Sequence, residues 1–99
     1  MLYTKIIDIK KDKIQTSVAE AFIKSSAYGA SIIFNGTVRN NNENKEVIGM
    51  TYDSHDELVL KSFEEIYKET TEELKILDKV VFIEHIKGYV GLGETSIII

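Results

Sequence analysis

Residues 29–39 have the sequence Gly-Ala-Ser-Ile-Ile-Phe-Asn-Gly-Thr-Val-Arg, and this stretch decides the fold. Its β-branched and aromatic residues predict a strand over residues 30–38. Ala30, Ile32 and Phe34 share one face of this strand, because side chains alternate along an extended backbone. Gly36 inside the strand indicates a bulge or a close approach of another backbone. Arg39 follows at its end.

Two helices are predicted around this strand from the spacing of apolar residues. The first covers residues 13–26, with Asp12 as its cap and Gln15 completing a capping box. The second covers residues 55–77, after a capping box formed by Ser54 and Glu57. Its apolar stripe consists of Val59, Phe63, Ile66, Thr70, Leu74 and Leu77.

Four further strands are predicted, at residues 3–9, 47–52, 80–86 and 95–99. The resulting order, β-α-β-β-α-β-β, predicts an α+β fold in a single domain over residues 1–99, a ferredoxin-like or related α+β sandwich. Residues 39–46 are polar and asparagine-rich, which predicts a solvated, mobile loop. The glycines at 88, 91 and 93 predict a tight turn over residues 87–93 and not a phosphate-binding loop, since no helix follows.

The composition excludes several classes of function. The 99 residues carry a net charge of −4, which argues against a dedicated nucleic-acid-binding protein. Cysteine is absent, so the chain has no thiolate nucleophile, disulfide or cysteine-based zinc site. No apolar run is long enough to span a bilayer, and residues 1–10 lack the apolar core of a signal peptide. We therefore expect a cytoplasmic protein that does not bind membranes.

Few side chains in the sequence suggest chemistry. Arg39, at a strand end beside a flexible loop, can hold a phosphate or carboxylate through paired hydrogen bonds, although the pattern alone favours a surface ion pair by about two to one. His85 is favoured as a hydrogen-bonded structural histidine over a catalytic base by about three to one. Together with His55, it gives only a weak metal signal, and we predict no metal site.

Two motifs resemble those of the large, catalytic subunit of molybdopterin synthase, the MoaE-like family. Residues 29–39 are similar to its G-A-x-x-x-F-x-G-x-V-R signature, and residues 85–94, His-Ile-Lys-Gly-Tyr-Val-Gly-Leu-Gly-Glu, to its H-R-x-G-x-x-x-x-G-[DE] motif. Ile86 stands where the family usually has arginine. The similarity covers residues 29–94 well. It implies an α/β-hammerhead domain, with the ferredoxin-like sandwich as the alternative fold.

The resemblance also implies a function. Members of this family convert precursor Z, a cyclic pyranopterin phosphate, into molybdopterin by inserting two sulfur atoms, in molybdenum cofactor biosynthesis. The sulfur arrives as a thiocarboxylate on the Gly-Gly tail of a ubiquitin-like, MoaD-like small subunit. Arg39 matches the motif arginine and is expected to bind substrate. Phe34, Gly36 and His85 are expected to be pocket or structural residues, and no cofactor is expected.

The family's functional lysines lie beyond the part of its pattern that this sequence matches. We therefore expect a domain that is incomplete at its C-terminus, and no catalytic residue can be assigned from the sequence. A non-catalytic binding module for the ubiquitin-like partner is one alternative function. A ferredoxin-like small-molecule sensor or acyl-phosphate hydrolase is another. The apolar residues 95–99 further suggest a homodimer in which a second copy covers them.

Overall fold

The chain forms seven strands and two helices, and the computed structural model describes all of its 99 residues. The elements in chain order are β1 (Leu2–Asp8), α1 (Thr16–Ile23), β2 (Asn35–Thr37), β3 (Asn41–Asn42), β4 (Lys45–Glu46), β5 (Gly49–Tyr52), α2 (Asp56–Leu74), β6 (Val81–Gly91) and β7 (Thr95–Ile98). This arrangement confirms the predicted α+β class. Apart from β3 and β4, the strands and helices occur in the predicted order.

The long strand β6 lies at the centre of the sheet. It pairs in parallel with β1 over Val81–Lys87 and antiparallel with β5 over Gly88–Gly91. β7 pairs antiparallel with β6, and β2 pairs antiparallel with β7, which gives the order β1-β6-β7-β2. β3 and β4 form a separate hairpin.

One face of the sheet forms the core against α1. Tyr3 stacks on Phe82 there, and Phe22 packs against both rings at a tilt, with ring centroids 4.7–5.2 Å apart. The buried apolar residues around them are Ile7, Ile14, Ala19, Val38, Ile86, Val90 and Ile98. Burying an isoleucine, valine or phenylalanine side chain stabilises the fold by roughly 1.5–3 kcal/mol. Alternation along β6 explains why Phe82, Ile86 and Val90 all reach the same layer.

The first helix begins later than predicted. The Asp12 carboxylate accepts a hydrogen bond from the Lys13 backbone N–H at 2.8 Å and does not cap the helix. Gln15 occupies the N-cap position without a side-chain hydrogen bond, so the predicted capping box is wrong. Aspartate forms such local bonds readily, and they compete with helical geometry.

The second helix also lacks its predicted cap, and its apolar stripe is only half covered. His55 occupies the N-cap without a side-chain bond, and the Ser54 hydroxyl is buried without a partner. Val59 and Phe63 are half-buried as predicted, but Ile66, Leu74 and Leu77 are exposed. No residue of α2 is fully buried, because the small sheet covers only part of the helix.

The strand predicted at residues 30–38 is shorter, Asn35–Thr37. Phe34 and Ile99 exchange two backbone hydrogen bonds, of 2.7 and 2.9 Å, which are the last bonds between this segment and β7. Residues 30–33 lie beyond these bonds and have no strand beside them. Residues 39–46, predicted as an irregular loop, instead contain the exposed β3–β4 hairpin, whose turn residues Glu43 and Asn44 have φ of 52° and 63°. Two positive φ values are typical of a tight hairpin turn.

The predicted turn at residues 87–93 is also shorter. Because β5 supplies a partner for Gly88–Gly91, strand β6 continues to Gly91 and only residues 92–94 connect it to β7. β7 lies inside the sheet, and Ile98 is fully buried there by its own chain. A second copy is therefore not needed to cover the centre of this strand. Neither helix has the length and apolar character required to cross a bilayer.

Glu84 provides a test of the core, because this ionisable residue lies on the central strand and only 5% of it is exposed. Burial raises the pKa of its carboxyl group and Asp12 raises it further, while Lys5 acts in the opposite direction. A raised folded-state pKa means that the folded chain binds more protons than the unfolded chain between the two pKa values. Stability is therefore greatest below the unfolded pKa and falls as the pH rises through the folded pKa.

We expect Glu84→Gln to raise the free energy of unfolding at pH 7, by on the order of 1 kcal/mol. The substitution should also flatten the fall in stability above the ordinary glutamate pKa of 4.5. Urea unfolding between pH 4 and pH 8 measures both effects. Glu20→Gln, on the exposed side of α1, is the control. Equal pH profiles for wild type and Glu84→Gln would contradict the assignment.

Candidate functional site

Arg39, the chain's sole arginine, follows a residue whose backbone is held by two hydrogen bonds. The preceding residue, Val38, is buried, and its N–H donates to the Glu94 carbonyl at 3.2 Å. The Gly93 N–H donates to the Val38 carbonyl at 2.8 Å. These two bonds fasten the end of β2 to the turn between β6 and β7, so the backbone cannot shift freely beneath Arg39.

The Arg39 side chain is exposed and has no carboxylate partner. Its Nη2 donates to the Oδ1 atom of Asn42 at 3.2 Å. The one ion pair of the structure joins Lys87 to Asp56, at 3.7 Å. Arg39 is therefore not the surface ion pair that the sequence pattern favoured. Its guanidinium keeps its full charge and most of its donors for an oxyanion.

Phe34 lies on a cavity of about 530 Å³ that we call the apolar groove, which is separate from Arg39. The groove runs between residues 28–34, α1 and residues 76–82, and its apolar walls include Ile23, Ile32, Phe82 and Ile99. Phe34 is 59% exposed and Ile32 90% exposed. At one end the Tyr28 hydroxyl donates to Asp78 at 2.9 Å, which raises the pKa of Tyr28.

Gly36 permits a close approach, as the sequence indicated, but the neighbour is a side chain of the same chain. A Cβ atom at this position would lie 2.5 Å from Cγ2 of Ile97 on β7. The register between β2 and β7 shifts immediately after Gly36, which confirms the predicted irregularity. Ile97 therefore occupies the space into which a side chain at position 36 would project.

His85 is half-buried in the middle of β6. Its Nδ1 lies 2.7 Å from the carbonyl oxygen of Ile86, which can only accept, so Nδ1 carries the hydrogen. Tyr52 packs edge-on against the ring, with centroids 5.1 Å apart. These contacts agree with the structural role that the sequence favoured for this histidine. No group of three or more histidine, aspartate or glutamate side chains is arranged to hold a metal ion.

A second, polar cavity of about 470 Å³ lies along β1 and was not anticipated from the sequence. Its charged residues are Lys5, Asp8, Lys11, Asp12, Asp56 and Lys87. Equal numbers of lysines and aspartates leave it without a net charge that would attract an anion. No motif links these residues in sequence: the pairing of β1 with β6 brings Lys87 beside Asp8, and Asp56 at the start of α2 forms an ion pair with Lys87. Arg39 lines neither this cavity nor the apolar groove.

Asn42 is the residue near Arg39 that sequence reasoning missed. The polar segment 39–46 was predicted to be irregular, and an irregular loop places no side chain in a defined position. The run Asn41-Asn42-Glu43-Asn44 did carry a signal, since asparagine tolerates the left-handed conformation that tight hairpin turns require.

Comparison with known proteins identifies relatives over most of the chain. The family model described as MoaE protein matches residues 9–99. The molybdopterin synthase catalytic subunit of Pyrococcus abyssi is 30% identical over 97 residues, which cover 97% of this chain and 64% of that protein. The subunit of the same name from Neosartorya fischeri is 32% identical over 93 residues, 94% of this chain and 48% of that protein. The chain thus spans about half to two thirds of the length of these relatives.

The packing at Gly36 gives a prediction for stability. We expect Gly36→Ala to lower the free energy of unfolding by about 1–3 kcal/mol, because the added methyl group overlaps the Ile97 side chain. Gly29→Ala is a matched control, since a Cβ there meets no atom within 4 Å. Urea denaturation of both variants measures the difference. Gly36→Ala should cost less in an Ile97→Ala background than in wild type, and an equal cost in both backgrounds would show that the overlap is not its cause.

Proposed function

The chain belongs to the MoaE protein family, and we propose that it acts as the large subunit of a molybdopterin synthase in molybdenum cofactor biosynthesis. Its proposed substrate is precursor Z, a pyranopterin phosphate, and its proposed product is molybdopterin. The observation that carries this proposal is the match over residues 9–99, which includes the segment ending in Arg39. The names of the Pyrococcus abyssi and Neosartorya fischeri relatives support the same activity.

Arg39 is the proposed binding residue for the substrate phosphate. A guanidinium presents a planar pair of donors that matches two phosphate oxygens. The bonds from Val38 to Gly93 and Glu94 fix the backbone from which it projects. Since no carboxylate competes for the charge, the phosphate would be its first anionic partner.

The sulfur is proposed to come from a partner, because the chain has no cysteine that could carry it. A ubiquitin-like, MoaD-like small subunit would deliver it as the thiocarboxylate at the end of a Gly-Gly tail. This chain would then hold the pterin phosphate while the tail of the partner reaches it. No cofactor is needed for this transfer, since the attacking sulfur is supplied in activated form by the partner.

A non-catalytic binding module is the second candidate function. It is favoured by the immediate surroundings of Arg39, where the only side-chain hydrogen-bond partner is the neutral amide of Asn42. Such a site can hold an anion, but the amide that contacts Arg39 neither donates nor accepts a proton as an acid or base would. The two candidates differ in one outcome, which is whether bound precursor Z is converted.

We expect Arg39→Ala to weaken the binding of precursor Z by about 1.5–3 kcal/mol, which is the range for a hydrogen bond to a charged group. Arg39→Lys should fall between alanine and wild type, because the charge remains but the paired geometry is lost. Titration calorimetry of the three proteins measures this. Folding stability should be unchanged, because the side chain is exposed.

The same proteins, mixed with precursor Z and thiocarboxylated small subunit, decide between the two functions. Formation of molybdopterin by wild type and its loss in Arg39→Ala would support the synthase. Tight binding without any product would support the binding module. Wild-type and Arg39→Ala proteins of equal affinity would contradict both, since both depend on this arginine.

We further propose that the chain forms a homodimer through apolar residues of α2 and the segment after it. Ile66 and Leu74 are exposed on α2, and Leu77, three residues after the helix ends, is 82% exposed. Contiguous apolar surface of this kind marks interaction sites in soluble proteins. Light scattering at micromolar concentration should give the mass of a dimer, and Leu77→Glu should shift it toward the monomer without unfolding the chain. A monomeric wild type would contradict this proposal.

A further inference from the structure

We propose that Asn42 is a positioning residue that orders the guanidinium of Arg39 before the anion binds. This inference rests on the proposed function of Arg39 as the phosphate-binding residue. The observation behind it is the 3.2 Å hydrogen bond from Nη2 of Arg39 to Oδ1 of Asn42. It is the only bond from the arginine side chain to another side chain, and it crosses from the end of β2 to the separate hairpin.

The hairpin holds Asn42 in a defined place. Asn42 pairs with Lys45, and Asn41 pairs with Glu46, in the antiparallel ladder of β3 and β4. The Oδ1 atom of Asn41 accepts a hydrogen bond from the Asn44 N–H at 3.2 Å and so stabilises the turn. The base of the hairpin is closed by the Val47 N–H, which donates to the Asn40 carbonyl at 2.9 Å. Asn42 is therefore an acceptor fixed by the ladder.

The chemistry of the acceptor suits positioning. An exposed arginine samples many rotamers, and that freedom is lost when it binds a ligand. The hydrogen bond to Asn42 removes part of this rotamer freedom before the ligand binds, and it uses only one N–H hydrogen of the guanidinium. The amide is neutral, so it holds the side chain without cancelling the charge that attracts a phosphate. An aspartate at position 42 would hold Arg39 more tightly, but it would compete with the anion.

The ladder and the Arg39 bond can be tested separately, because Asn41 and Asn42 serve different purposes. Asn42→Ala removes the acceptor for Arg39 and leaves the turn bond of Asn41 in place. Asn41→Ala removes the turn bond and leaves the acceptor, which makes it the matched control for damage to the hairpin. Asn42→Asp keeps an acceptor and adds a charge, and Asn42→Gln keeps a neutral amide on a longer side chain.

The decisive experiment is a double-mutant cycle on Arg39 and Asn42, with inorganic phosphate and precursor Z as the titrated ligands. NMR chemical shifts report phosphate binding, and calorimetry reports precursor Z binding. We expect Asn42→Ala to weaken both by roughly 3- to 10-fold, because the arginine side chain must then be ordered when the ligand binds. The same substitution should have no effect in the Arg39→Ala background. Asn42→Asp should bind more weakly than Asn42→Ala, and Asn42→Gln should recover part of the affinity.

The outcomes separate this inference from the proposed function. If Arg39→Ala weakens binding but Asn42→Ala does not, Asn42 has no positioning role and the proposed function stands. A loss in Asn42→Ala that persists without Arg39, or that Asn41→Ala reproduces, shows a general effect of the hairpin and overturns the inference. If Arg39→Ala itself binds both ligands like wild type, the role of Arg39 and the inference fail together.

Discussion

Strand β6 is hydrogen-bonded along its whole length, to β1 over Val81–Lys87 and to β5 over Gly88–Gly91. The position of the turn that follows is set by this pairing, because β6 cannot bend until its partner ends. The carbonyl of Glu94 and the N–H of Gly93 in that turn then bind Val38. The placement of Arg39 therefore depends on a backbone ladder that does not include Arg39.

The dependence on β6 also explains which elements the sequence could predict. Strand β1, α2 and the ends of β7 follow from local patterns of apolar residues, and the structure confirms them within a few residues. The turn predicted at residues 87–93 begins too early, because glycine content is a local property, whereas β6 continues to Gly91 by pairing with β5, a strand distant in sequence. A pairing of this kind overrides the tendency of glycine to break a strand.

The two predicted capping boxes failed for a related reason. A short polar side chain near a helix start has several backbone partners within reach, and the sequence does not say which one it binds. Asp12 binds the adjacent Lys13 N–H, and Ser54 is left without a partner. The sequence identified the apolar stripe of α2, but it did not predict that Ile66 and Leu74 on this stripe are exposed. Sequence periodicity shows which side of a helix is apolar, and the extent of its burial depends on the size of the sheet beneath it.

The candidate site shows the same division between local and distant causes. Arg39 was found from its motif, but its partner Asn42 was not, because the hairpin that places Asn42 was predicted as an irregular loop. Phe34 and Arg39 belong to one short segment, yet they face different parts of the surface. Phe34 borders the apolar groove, and Arg39 projects beside the hairpin. Buried Val38 and tightly packed Gly36 lie between them, in the segment that pairs with β7, so one short stretch of backbone positions both exposed side chains.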